Sequence, residues 1–544
     1  MISSSSAISF QPNFAGLLKL PLFIREFREG DLSGILSCQP RSESTDMKNF
    51  AEQFKLHDKY QVEMKFTYPA DPDSKVNEYS VDTFFFLPTN LGINSETYRK
   101  EEFFSDLHEY IRLKTPSVPI TGMTGADSPL EKLEQTFPDM TAKKADAINL
   151  YSSRLKLFCS IMRSALRDQE LLIENSLEHP GADSMVQTFL EETGKILTCY
   201  RGLYPKLCVQ TIPEDVRELF RHADEYLSIT INKYLYKLFH VTKKREIFAE
   251  SCKQIIVRAE QEIEYRKAHN YPSIPDLKGD NEELIYREGT LKKAMASILF
   301  LRKETRRDGV LLENILFSFA AGIAMAFATI MAFITQKQIG QDVSFVLFMA
   351  LVLAYMGKDR IKDLLKLYFS TKLRRFIHDY KTRILGENGE KVGFCRESFS
   401  FLKEKDVPQE VTAIRHKAYL SDLENGCFGE QVILARKQVV VNSQAFHDLI
   451  RGYQVDGLVD IMRFNFSRFL RHMDNPVKKL FVPDFKGGLT SIDAKRVYHV
   501  NIVVRYGMKG LSDSYVKFRI VLSRNGIKRI NIFPVVTRET GKRP

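Results

Sequence analysis

Two long apolar runs interrupt an otherwise charged chain. Asn314 to Thr335 holds no charged residue in 22 positions, Val343 to Gly357 none in 15, and QKQIGQD lies between them. As helices rising about 1.5 Å per residue, the runs measure about 33 Å and about 22 Å. A bilayer's hydrocarbon core is about 30 Å thick. The first run spans it outright. The second spans it if Asp342 sits at one interface and Lys358 and Arg360 extend their heads to the other. The pattern predicts a two-helix transmembrane hairpin over 311–357. The competing readings are one span plus a re-entrant segment, or a hairpin buried in a soluble core, which would need neighbours on every side.

Lys292, Lys293, Arg302, Lys303, Arg306 and Arg307 precede the first run, and Lys358, Arg360, Lys362, Lys366, Lys372, Arg374 and Arg375 follow the second. Basic flanks stay inside, so the expectation is an integral two-pass protein with cytoplasmic N- and C-termini. Ala320, Ala324, Ala328 and Ala332 recur every fourth residue, beside a second row of Ser318, Gly322 and Ala326. Small residues at this spacing let helices approach closely. The first row and Gly322 are therefore candidate membrane helix-packing positions, either within the hairpin or between copies in a homo-oligomer.

Elsewhere the periodicity changes with position. Residues 1–57 are broken by Pro and Gly and read as poorly structured. YQVEMKFTYP (60–69) and YSVDTFFFLP (79–88) read as strands, and Tyr98–Leu113 as a helix, together a small αβ unit over 58–128. From 129 to 310 the signal is helical. Ile148, Tyr151, Leu155, Phe158, Met162 and Ala165 form a coiled-coil-like seam, with similar seams at Phe248–Ile263 and Leu291–Leu301. About five long helices are expected, the last leading into the membrane. Residues 358–384 read as a basic helix leaving it. Residues 385–544 read as a mixed, basic α+β cytoplasmic domain. It has strands at 430–442, a helix carrying Met462, Phe466, Phe469 and Met473, and a closing antiparallel β-meander whose Asn525-Gly526 marks a hairpin turn. The fold class is thus an α+β membrane protein.

Charge sharpens this picture. From Lys358 onward there are 36 Lys+Arg against 20 Asp+Glu, a net of +16, whereas the preceding residues hold 43 against 48, a net of −5. A basic half behind a membrane span points to an acidic partner, anionic lipid or nucleic acid. The candidate anion-binding residues are Arg374, Arg375, Arg505, Lys517, Arg519 and Arg529. On the meander, the alternative for Lys517 and Arg519 is an ordinary solvated sheet face. The seven cysteines (38, 159, 199, 208, 252, 395, 427) lack any CxxC or metal spacing, as in a reducing compartment.

No phosphate-loop, nucleophile-elbow, zinc-protease or dinucleotide-binding pattern occurs. No catalytic, metal or cofactor residue is assigned. His378-Asp379 and His447-Asp448 are sequence neighbours, which on a helix do not face each other. The sequence therefore points to a membrane-anchored interaction or scaffold protein whose basic C-terminal domain binds an acidic lipid, nucleic acid or protein. Alternatives are an oligomeric two-span effector or channel-like subunit, and a membrane-tethered enzyme with an unrecognised site.

Overall fold

The computed structural model describes residues 54–537 except 72, 143–145, 211, 340–344, 374–376, 388, 417–428, 451, 454, 485–486 and 534–535. It is a mixed α+β structure with antiparallel sheets. The expectation for 1–53 falls outside these residues.

Fourteen strands carry the body: β1 (Phe54–Leu56), β2 (Gln61–Pro69), β3 (Val76–Pro88), β4 (Leu107–Leu113), β5 (Arg302–Arg307), β6 (Tyr380–Leu385), β7 (Lys391–Leu402), β8 (Glu430–Asn442), β9 (Gly457–Asn465), β10 (Val477–Pro483), β11 (Leu489–Lys495), β12 (Tyr498–Met508), β13 (Ser514–Ser523) and β14 (Gly526–Ile532). Four make a sheet in the order β1-β2-β9-β4. The large sheet runs β14-β13-β12-β3-β8-β7-β6-β5, with a short ninth strand, Val536–Thr537, on β13. β10 and β11 pair as a separate exposed arm.

Both segments of 58–128 that form long strands find partners far along the chain. β2 pairs β9, and β3 lies between β8 and β12. Residues 58–128 and 385–544 therefore share sheets rather than closing separate ones. The run Thr83–Leu87 shows why it is apolar without alternation. Phe85 and Leu87 enter the core between the two sheets, while Phe84 and Phe86 enter a second core on the outer face, beneath the helix Gln409–His416.

Two expected helices are corrected. The helix expected over 98–113 stops at Asp106 (α1, Lys100–Asp106), and 107–113 is β4, with Ile111 and Leu113 buried. Residues 457–465 are β9, the strand between β2 and β4, not part of a helix. Met462, Phe466, Phe469 and Met473 are all buried. A strand followed by the single turn Ser467–Leu470 places them inward as well as a helix would, so spacing alone did not discriminate. The closing meander β12–β13–β14 is present. Its two-residue loop is Arg524-Asn525, because Ser523 pairs Gly526, which takes φ +124°.

The bundle has five long helices: α2 (Ala147–Asn175), α3 (Ala182–Arg201), α4 (Glu214–Thr242), α5 (Ala249–Ala268) and α6 (Glu282–Ala296). Tyr151, Leu155, Phe158, Met162 and Ala165 are buried along α2, as its seam requires, while Ile148 is exposed. On α6 the seam is Leu291 and Met295, continuing to Leu299, not Ala294 and Ile298. The expected run of helix into the membrane is also corrected, because β5 intervenes.

A helical hairpin follows β5, made of α7 (Val310–Ile339) and α8 (Phe345–Leu373). Its roots are neighbouring strands, since β5 and β6 pair in register from Arg302↔Leu385 to Arg307↔Tyr380. The segment 358–373 continues α8 without a break. A further helix, Gln409–His416, is α9.

Candidate membrane hairpin and the charged cluster at its root

α7 and α8 pack antiparallel. The Phe319 and Phe369 rings lie 6.5 Å apart, Lys366 Nζ stands 5.5 Å from the Phe317 ring, and Phe327 approaches Gly357. Ala320, Ala324 and Ala354 are buried in the seam, and Ala328 and Ala332 are half-buried. Gly322 is exposed, and a methyl group added there would meet nothing within 4 Å. Thus one small-residue row faces α8, while Ser318, Gly322 and Ala326 face outward.

Among the described residues one helical stretch, Val310–Ile334, is long and apolar enough to cross a membrane, and only 11% of its apolar window is buried. Ile315, Phe319, Met325, Ile330 and Phe333 are exposed on α7, as are Phe348, Leu353 and Tyr355 on α8. α8 is not equivalent to α7. Because Phe327 meets Gly357, the half of α8 bearing Lys358, Asp359, Arg360, Lys362, Asp363 and Lys366 runs beside the first half of α7, whose one charged residue is Glu313.

By register Arg505, Lys517, Arg519 and Arg529 share one face of the large sheet, but their surroundings differ. Arg505 is ion-paired with Asp82 and lies 3.9 Å from Asp513. Lys517 and Arg519 are buried at 3% and 6% exposure, which corrects the solvated-face expectation. Their sheet face is covered by α9 and Phe533. Lys517 donates to Arg415 O at 2.6 Å and Arg519 Nε to Asn501 Oδ1 at 3.0 Å, and both stand against the Phe533 ring. Arg529 is exposed. Arg374 and Arg375 lie outside the described residues.

A different cationic row appears at the hairpin's foot. Register places Arg306, Lys381 and Arg396 side by side across β5, β6 and β7 on the outer face. Like charges directly opposite destabilise a sheet unless an anion offsets them. Arg396 has Asp308 at 3.7 Å, and Lys381 and Arg396 flank the Phe394 ring at 4.9 and 5.3 Å. Sequence reasoning missed this row because the whole hairpin separates Arg306 from Lys381, and only strand register aligns Arg396 beside them.

On the inner face of β7, between the two sheets, charged groups from four strands meet, each no more than 10% exposed. Lys437 Nζ on β8 lies 2.6 Å from Asp460 Oδ2 (β9), 2.8 Å from Glu109 Oε1 (β4) and 3.4 Å from Glu397 Oε1 (β7). Glu109 and Glu397 also hydrogen-bond each other. Tyr68 donates to Asp460 Oδ2 at 3.3 Å, and Lys303 on β5 donates to Glu109 O at 2.8 Å. Asp460 Oδ1 is buried with no hydrogen-bond partner among the described residues.

The electrostatics follow from crowding. Burial, then the Glu109 charge beside it, pushes the Glu397 carboxyl up to about 8. Burial would raise Glu109 too, but Lys437, the Glu397 hydrogen bond and Lys303 hold it down at about 2. Burial also raises Asp460, against Lys437. Burial opposes the charge on Lys437, yet Asp460, Glu109 and Glu397 keep its ammonium well above the usual lysine range. The group has the character of a carboxylate pair sharing one proton around an ammonium.

A second network joins α3, α4 and α5. Arg201 takes Asp224 at 3.0 Å and Glu262 through two nitrogens, at 3.1 and 2.7 Å, and Tyr265 and Tyr271 donate to Asp224 Oδ2 at 2.8 and 2.9 Å. These groups satisfy one another and pin the bundle. Among the described residues no group of three His, Cys, Asp or Glu is placed to hold a metal ion.

No family model, curated protein or solved structure matches this chain.

Proposed function

We propose that this chain is a membrane-anchored protein whose hairpin enters the bilayer as a two-pass anchor with both ends on the cytoplasmic side. Its α+β body acts there as an interaction or scaffold module for an acidic ligand. The observation that carries the reading is α7: its run from Asn314 to Thr335 holds no charge and is long enough to span, with large apolar side chains turned outward. Soluble monomers rarely expose contiguous apolar patches beyond a few hundred Å², and hydrocarbon removes that cost.

The pairing of Phe327 with Gly357 sets the depth. The run 314–335 of α7 crosses the bilayer, and Lys358 and Arg360 of α8, beside it, extend their heads toward the cytoplasmic interface, with the local bilayer thinned to match. Residues 358–373 of α8 lead back to the hairpin's roots. Arg306, Lys381 and Arg396 at the hairpin's foot are the cations that favour an acidic ligand, replacing the buried Lys517 and Arg519 in that role.

The test is alkaline carbonate extraction of membranes from cells expressing the full chain. Retention in the pellet is expected, and release to the supernatant overturns the anchor. The ligand reading is tested separately. The purified chain is expected to bind anionic vesicles, an oligonucleotide or an acidic protein at moderate salt, and the Arg306→Glu/Lys381→Glu double variant to bind about tenfold less. Binding to none of the three removes that reading while leaving the anchor intact. A second reading, an oligomeric membrane effector, is favoured by the outward row Ser318, Gly322 and Ala326, and crosslinking in membranes decides it.

A further inference from the structure

The buried cluster beneath the hairpin's root stands on an arithmetic of charge. Three carboxyl groups, Glu109, Glu397 and Asp460, face two ammonium groups, Lys437 and Lys303. With one proton between Glu109 and Glu397 the set is neutral. Without it, a net negative charge sits where Glu109, Asp460 and Lys437 are all less than a tenth exposed. Uncompensated buried charge is among the most costly states a fold can hold.

The position of the cluster gives that cost a mechanical outlet. Glu109 and Asp460 belong to the four-stranded sheet, and Glu397 and Lys437 to the nine-stranded one, so the cluster is a tie between the sheets. It is also the tie to the hairpin's roots. On the outgoing side, Lys303 of β5 donates to Glu109 O, and Leu301 N donates to Ile111 O of β4 at 3.0 Å. On the returning side, Asp379 N donates to Glu397 O at 2.7 Å, and Tyr380 is the register partner of Glu397. β5 is an edge strand held by β6 alone within its sheet, so this contact is what fastens the edge inward.

Other groups near Glu397 do not supply the missing charge. β2 contributes Tyr68, and β7 itself contributes Cys395; burial raises both, so both stay neutral. β6 contributes Tyr380 and Thr382. α1 brings Phe103 and Phe104, while its Lys100 is taken by Asp379 at 2.8 Å.

We propose that the cluster Glu109–Glu397–Lys437–Asp460 is a proton-operated latch. It closes the hairpin-bearing edge of the large sheet onto the four-stranded sheet while the two glutamates share a proton, and loosens that edge when the proton leaves. The pH at which Glu397 titrates, about 8, lies close to neutrality, so the latch responds to a modest alkaline shift. The proposal is independent of whether the hairpin enters a bilayer, because every contact it uses lies in the body.

The experiment is hydrogen–deuterium exchange of the full chain in zwitterionic nanodiscs across about pH 6 to about pH 9, with rates corrected for intrinsic pH dependence. Peptides covering 107–113, 302–307 and 380–385 are expected to lose at least tenfold protection above about pH 8, while the helices α2 to α5 hold theirs. Glu397→Gln and Glu109→Gln each leave two carboxylates for two ammonium groups, so either variant is expected to stay protected throughout. Constant wild-type protection overturns the proposal, as does a loss spread evenly over the chain, or a folded Gln variant that responds as the wild type does. Should one variant fail to fold, the other decides. Should both fail, the localisation of the wild-type response decides.

Discussion

Replacing Lys437 by Met tests the central electrostatic argument. The ammonium is 4% exposed and has three carboxyl groups within 3.4 Å. Methionine matches the stem's volume and removes only the charge, leaving Glu109 and Asp460 without their main counterion. Breaking a buried ion pair by removing one partner costs about 3–5 kcal/mol, a factor of about 10² to 10³·⁵ in the folded-to-unfolded ratio. The loss depends on pH with a determined sign. In the wild type, Glu109 is held at about 2, below its usual 4.5, so its stabilisation is present above 4.5 and lost as pH falls through about 2. Glu397 is raised from 4.5 to about 8, so its stabilisation is complete below 4.5 and lost as pH rises through about 8. Without Lys437 the carboxyl groups must take up protons to remain buried. The Met variant should therefore lose most stability near pH 8 and least near pH 5. Urea unfolding followed by circular dichroism at both pH values measures this. A difference from wild type below about 1 kcal/mol at pH 8 would refute the reasoning, since it would mean that water already solvates these carboxylates.

Two further outcomes test the packing. Ala324→Leu places a large side chain in the buried seam of the hairpin and should cost about 1–3 kcal/mol through overpacking, whereas Gly322→Leu, whose added atoms point into open space, should leave the hairpin's own thermal stability unchanged; equal effects would mean that the two rows are not inequivalent. In the bundle, Asp224→Ala strands the Tyr265 and Tyr271 hydroxyls and leaves Arg201 with Glu262 alone, and should destabilise by about 2–3 kcal/mol, read as loss of helical signal at lower urea; a change below about 1 kcal/mol would show that the network is not a stabilising pin.

The sequence by itself determined what depends on neighbours along the chain. The charge-free run at 314–335 defines its helix because backbone groups are satisfied within the segment and no polar face interrupts it. The seam of α2 and the meander from Tyr498 to Ile532 were legible for the same reason, since periods near 3.6 and 2 belong to local geometry. Tertiary structure decided everything that depends on which strand lies beside which. It made β4 and β9 strands where local spacing also fitted a helix, and it covered Lys517 and Arg519 with α9. It brought Glu109, Glu397, Lys437 and Asp460, spread over 351 positions, to one point. Each of these residues alone reads as an ordinary surface charge. Their coupling arises from burial and distance, and neither quantity is written in the order of the residues.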